Sequence, residues 1–188
     1  MRMARTWIVS AAVVVATVVT LGATVVVPTE FREIVADAGL IVRGTITDVR
    51  AVDVRDDGID SIGTVAIESV LKGAAEGFVS VRVPGGTIGR TRFVMVGAPV
   101  LTVNERAVFF LKRGPDNFWR PVGLTMGISR LQPDAATRQW VVNAPLLVGR
   151  TASVGPVVRG DSRRKPMSVP DFEALVRLVA AGQTGGGR

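Results

Sequence analysis

The stretch Leu40–Val49 reads LIVRGTITDV, and its polarity alternates with a period of two. Leu40, Val42, Gly44 and Ile46 fall on one face and Arg43, Thr45 and Thr47 on the other, the pattern of a half-buried strand. Val49 is out of phase with Ile46, and a glycine stands in the middle of the run. A phase slip together with a mid-strand glycine marks a bulge or sharp coil, the device by which a sheet curls towards closure. The stretch therefore predicts a curled sheet.

The same short period continues outward. In VAIESVLKG (65–73), Val65, Ile67, Ser69 and Leu71 alternate with Ala66, Glu68, Val70 and Lys72 until Gly73 stops the run. Alternation puts Lys72 on the outward face of the strand end, where its charge keeps that end in water. In FVSVRVPGG (78–86), Val79, Val81 and Val83 point inward, Ser80 and Arg82 outward, and Pro84-Gly85-Gly86 supplies turn chemistry. RFVMV (92–96), AVFFLKRG (107–114), FWRPVGL (118–124) and WVVNAPLLVG (140–149) read as further strands, separated by turn residues at GAP, NE, GPDN and QPDA. Many short strands with such punctuation predict an all-β barrel or sandwich. DVRDDGIDS (53–61) reads as an acidic loop.

Two helices flank the strands. TEFREIVADAG (29–39) offers Thr29 as a cap, an apolar stripe of Phe31, Ile34, Val35 and Ala38, and Gly39 as a stop. Near the other end Ser168 and Asp171 form a capping-box pair before the stripe Phe172, Leu175, Val176 and Val179, which ends at Gly182. The first residues carry Arg2 and Arg5, and Trp7 to Val27 carries no charge, the layout of an export signal. The expected organisation is a signal over 1–23, cleaved after Ala23 or retained as an anchor to 27, one barrel domain over 28–181, and a disordered tail over 182–188. The expected location is periplasmic, extracellular or anchored.

Composition limits the chemistry. The chain of 188 residues has no histidine, cysteine or tyrosine, and only three lysines among 23 basic residues. Zinc sites of the familiar kinds, the Ser-His-Asp triad and the Cys-His dyad cannot be built, and no disulfide can staple the exported domain. Arg2 and Arg5 account for two of the seven net positive charges, so five belong to the remainder. PGGTIGR lacks the lysine and hydroxyl that end a phosphate-binding loop, and SVLKG has its lysine before its glycine, so both read as turns. A Ser-Lys dyad would have to use Ser69 or Ser129 with Lys72 or Lys112, yet Ser69 and Lys72 fall on opposite strand faces. The acidic residues Asp53, Asp56, Asp57 and Asp60 read as a solvated turn, with carboxylate chemistry or weak calcium binding as the alternatives. Arg82, Arg90 and Arg92 are the candidate partner or polyanion surface; aromatic residues sit in apolar runs, which disfavours nucleic acid. The basic cluster Arg163, Arg164 and Lys165 lies in a polar stretch before the second helix.

The succession ADAGLIVRGTITDV, VAIESVLKG, FVSVRVPGG and NERAVFFLKRG resembles the netrin-like module of tissue inhibitors of metalloproteinases and related OB-fold domains. The positions that carry the resemblance are Ala36-Asp37, Arg43-Gly44, Lys72-Gly73 and Glu105 to Leu111, over roughly residues 29–131. It also resembles small exported bacterial proteins of unassigned function with the same VLKG and VPGG pattern. The resemblance implies a mainly β, OB-like, partly closed antiparallel barrel with a short N-terminal helix and a C-terminal amphipathic helix. It does not carry over the family's inhibitory device, which needs an amino-terminal cysteine. The sequence thus points to an exported, non-catalytic binding or regulatory module without cofactor or metal, acting on a protein partner in the envelope or outside the cell. Contact with a membrane follows only if the N-terminal segment stays uncut. The alternatives are an exported hydrolase using Ser-Lys or carboxylate chemistry and a polyanion-binding barrel. Amino-terminal sequencing of the protein from the envelope fraction should begin at Thr24; an intact Met1 in soluble cytoplasm would contradict export.

Overall fold

The structure, a computed structural model, describes residues 31–54, 58–143 and 166–184. The export segment, Thr29, Asp56, Asp57, the 163–165 cluster and the last four residues lie outside that range. The chain runs through helix α1 (Phe31–Asp37) and strands β1 (Leu40–Asp53), β2 (Ile59–Lys72), β3 (Phe78–Pro84), β4 (Gly86–Ile88), β5 (Thr91–Phe93), β6 (Arg106–Arg113) and β7 (Trp119–Pro121). A 3-10 turn at Leu124–Gly127, β8 (Ile128–Pro133), β9 (Trp140–Asn143), β10 (Pro166–Ser168) and helix α2 (Val169–Thr184) follow.

The main sheet has the order β1-β2-β3-β7-β6-β8-β9-β10, and β1 also pairs with β6. That extra pairing closes β1, β2, β3, β7 and β6 into a five-stranded barrel, with β8, β9 and β10 as an extension. The result is the mainly β barrel with two flanking helices that the sequence predicts, consistent with an OB-like barrel. Closure is complete, and one junction, β3 with β7, is parallel and consists of the single pair Val81 with Trp119. The other barrel junctions are antiparallel.

β1 reaches both neighbours by coiling. Its residues 40–45 pair with β6 while residues 41–53 pair with β2. The β1–β2 register slips between Ile41 and Val42, between Arg43 and Gly44, and between Ile46 and Asp48, so the phase slip visible in the sequence is a true irregularity of the ladder. At Gly44 a Cβ would fall 2.3 Å from the Ala66 carbonyl oxygen and 2.7 Å from Val65 Cγ1. Nothing larger than hydrogen fits where the two strands cross so closely.

Two cores result, and β6 is the wall between them. Ala107, Phe109 and Leu111 face the barrel interior with Leu40, Val42, Ile46, Val65, Val79, Val81 and Val83. Val108 and Phe110 face outward, beneath α1 and α2, with Phe31, Ile34, Val35, Ile41, Phe172, Val176 and Val179. The rings of Phe31, Phe110 and Phe172 meet at centroid distances of 5.8, 5.9 and 6.4 Å, Phe110 edge-on to each of the other two, a favourable cluster that ties both helices to the wall. Helix α2 begins with the predicted cap: Ser168 Oγ donates to Asp171 Oδ2 at 2.6 Å and accepts from the Asp171 amide at 3.3 Å.

Several sequence boundaries are corrected. RFVMV is strand only to Phe93, after which Val94–Val96 leave the sheet. Asp60 is no loop residue but a buried member of β2. Helix α2 passes Gly182 and ends at Thr184, because residues expected in the tail extend its last turn. In urea denaturation, Gly44→Ala should lower stability by about 3 kcal/mol, because its methyl meets main chain that cannot give way. Phe110→Ala should cost about 3–5 kcal/mol through loss of the ring and the cavity left.

Candidate functional site

Three groups of side chains could carry function: Lys72, the arginine–carboxylate clusters, and an apolar lobe beside β4 and β5. Lys72 does not extend into water as its place at the strand end suggests. Its Nζ donates to the carbonyls of Val35 at 2.7 Å and Ala36 at 3.1 Å, which are among the last carbonyls of α1. A cation on those orphan acceptors caps the helix and matches the negative end of its dipole. Gly73 follows with φ +80°, and a Cβ there would meet the Gly39 carbonyl oxygen at 2.6 Å. The chain must turn tightly there because the helix end packs against it. Burial lowers the Lys72 pKa from its ordinary 10.5, and Asp37 partly opposes this.

The would-be nucleophile Ser69 is separated from this lysine in partnership, accepting from Arg177 of α2 at 3.4 Å. Ser129 lies in β8 opposite Val108 of β6, and Lys112 is exposed at the end of β6. Neither serine therefore has a lysine contact that would activate it. Glu68 accepts from Arg106 at 2.6 and 3.2 Å and from Thr45 at 2.7 Å. Arg43 stands between Glu68, at 3.3 Å, and Glu173, at 3.1 Å. The side-chain hydrogen bonds from Arg106, with smaller contributions from the Thr45 hydrogen bond and from the charges of Arg106 and Arg43, outweigh burial and hold the Glu68 carboxyl below its ordinary 4.5.

Of the three arginines proposed as a partner surface, Arg82 is tied into the barrel wall while Arg90 and Arg92 share the β4–β5 hairpin. Arg82 donates to Asp60 and to Asp116, each at 2.7 Å, and its guanidinium lies 5.6 Å from the Phe118 ring centre. Arg120 shares Asp116 at 2.7 Å. Arg82 thus neutralises the buried Asp60 and stitches β2, β3 and the 114–118 turn together. Arg90 and Arg92 belong to the separate β4–β5 hairpin and are exposed. Neither makes an ion pair with another described residue.

Sequence reading missed the third group. Between β5 and β6 the chain forms a lobe in which Val94, Val96 and Val100 are 65, 94 and 72% exposed, with Met95, Val103 and neighbouring Ile88 also exposed. The backbone beneath them is fixed. Leu101 plugs into the barrel core, the Gly97 carbonyl accepts from the Thr125 hydroxyl at 2.7 Å, and the Val100 carbonyl accepts from Arg130 at 2.9 Å. A turn closed by Ala98 N–H to Met95 C=O shapes the tip. Between lobe and hairpin lies a pocket of about 150 Å³, lined in part by Arg92, Phe93, Met95, Pro99 and Val100. So many exposed aliphatic side chains within one short segment make it a candidate contact surface. The only sequence signal was the run of uncharged residues from 93 to 103, which a strand explains equally well.

Compared with known proteins, the sequence matches no family model and no curated protein. The site is therefore read from its own geometry. Lys72→Ala should destabilise the fold by about 1 kcal/mol, measured by urea denaturation. Because the folded Glu68 pKa is depressed, its contribution is complete above pH 4.5 and is lost as pH falls through the lower folded value. Glu68→Gln should be less stable than wild type at neutral pH and lose less stability on acidification below that window.

Proposed function

We propose that the protein is an exported, non-catalytic binding module of the cell envelope, and that the lobe at residues 94–103 is its contact surface. The observation that carries this reading is the contrast between polar and apolar groups. The clustered carboxylates and arginines near Ser69 and at Asp60 neutralise one another within the barrel wall, while rigidly held aliphatic side chains face water with no internal use. A hydrolase would need the opposite: a carboxylate or serine poised beside an open site. The uncharged run Trp7–Val27 behind Arg2 and Arg5 supports export.

The netrin-like reading gains a physical argument. Ala36-Asp37 and Lys72-Gly73 are far apart in sequence, yet Lys72 bonds the carbonyl of Ala36 and its neighbour Val35. Two short motifs that seem independent are halves of one helix cap, which supports treating them as a single fold marker. The reading extends to the barrel, and not to protease inhibition, since the chain has no cysteine.

Val96→Asp with Val100→Asp should leave the thermal midpoint within experimental scatter, because both side chains are exposed, and should remove association with the envelope fraction. Ser69→Ala with Ser129→Ala should leave that association intact. A hydrolytic activity lost in the serine variant and kept in the lobe variant would reverse the assignment.

A further inference from the structure

Resting on the reading of the lobe as a contact surface, we infer that its occupant is an anionic lipid bilayer, entered by the lobe tip and held by Arg90 and Arg92. Three observations select this occupant. The first is shape. The most exposed apolar residue, Val96, precedes Gly97 (φ +83°) at the Met95–Ala98 turn, and Val94 and Val100 face water on either side of that turn, on backbone already bonded to Thr125 and Arg130. Exposed aliphatic side chains around a turn suit insertion among acyl chains, where no matching surface is required and buried area alone supplies the free energy.

The second is composition. Protein contact sites centre on aromatic anchors seated in pockets, and no aromatic residue is among the exposed residues of the lobe. The exposed members here are Val, Met and Ile, and Phe93 packs against Gly58 at the lobe's base.

The third is charge. From Pro84 to Val103 there is no acidic residue, although the chain holds 16, and the only charges are Arg90 and Arg92. Both are exposed and without a carboxylate partner among the described residues, unlike Arg43, Arg82, Arg106, Arg120 and Arg130, which are all ion-paired. Cations set on a hairpin beside an apolar tip match the negative surface of a bilayer whose interior receives the tip.

The chain has no cysteine, so V96C in the full-length protein accepts one environment-sensitive fluorophore at the tip. L178C places the same probe on α2, where Leu178 is exposed outside the lobe. Vesicles of phosphatidylcholine mixed with phosphatidylglycerol should shift the probe at position 96 towards an apolar environment and leave the probe at position 178 unchanged, with weak response to phosphatidylcholine alone. Because each arginine near such a surface contributes about 1 kcal/mol, R90A/R92A should weaken the tip's response roughly 30-fold in lipid concentration. V96D/V100D should lose lobe-dependent co-sedimentation with the mixed vesicles. The bilayer assignment is overturned if the probe at 96 fails to respond to the mixed vesicles, or responds equally to both lipids with and without R90A/R92A. In the first case, a response of the same probe to lipid-free envelope protein would retain the lobe as contact surface with a protein occupant. Silence towards both would remove the contact surface itself.

Discussion

Closure of this barrel depends on the missing side chain at position 44. β1 has to hydrogen-bond to β2 along one edge and to β6 along the other, and a strand can do so only by coiling sharply across its partner. The crossing brings the Ala66 carbonyl to 2.3 Å from where a Cβ of residue 44 would stand. The register slips on either side are the same constraint expressed along the ladder. Without that approach β6 would be left as an open neighbour, and Phe109 would lose the closed interior that buries it.

This explains which parts of the fold were legible. A glycine and a phase slip within LIVRGTITDV are local signals, and curling is their direct consequence. The inward set Val79, Val81 and Val83 also follows from period two. The double burial of β6 does not: an unbroken run such as AVFFL is compatible with a strand inside two layers or with a helix segment, and only the positions of α1 and α2 reveal that Phe110 has a roof. The parallel β3–β7 contact was equally hidden, since it joins distant segments through one residue pair.

The functional groups were less readable because their roles depend on what lies opposite. Alternation puts Ser69 and Lys72 on opposite faces, whereas the ladder slips set them opposite Arg43 and Ile41, on the one face that the helices cover. What keeps them apart is their partners, Arg177 for the serine and the end of α1 for the lysine, and no local pattern shows that a helix end turns this charge into a cap. Arg82 is outward by alternation, and only the arrival of Asp60 and Asp116 makes it a structural cation. The lobe failed for another reason. Val94 and Val96 favour a strand intrinsically, yet the sheet ends at Phe93 and the chain goes on to seat Leu101 in the barrel core, a tertiary contact that local propensity does not show.

The one-pair junction between β3 and β7 gives the barrel an uneven resistance to opening. Every other wall is sealed by several consecutive pairs, whereas here a single residue step holds two strands in parallel. Thermal opening of a closed sheet starts along its thinnest suture. The molecule should therefore breathe as a clasp, with β1, β2 and β6 as its spine and the edge between Val81 and Trp119 as its catch, so that amide exchange along β3 precedes exchange in the spine.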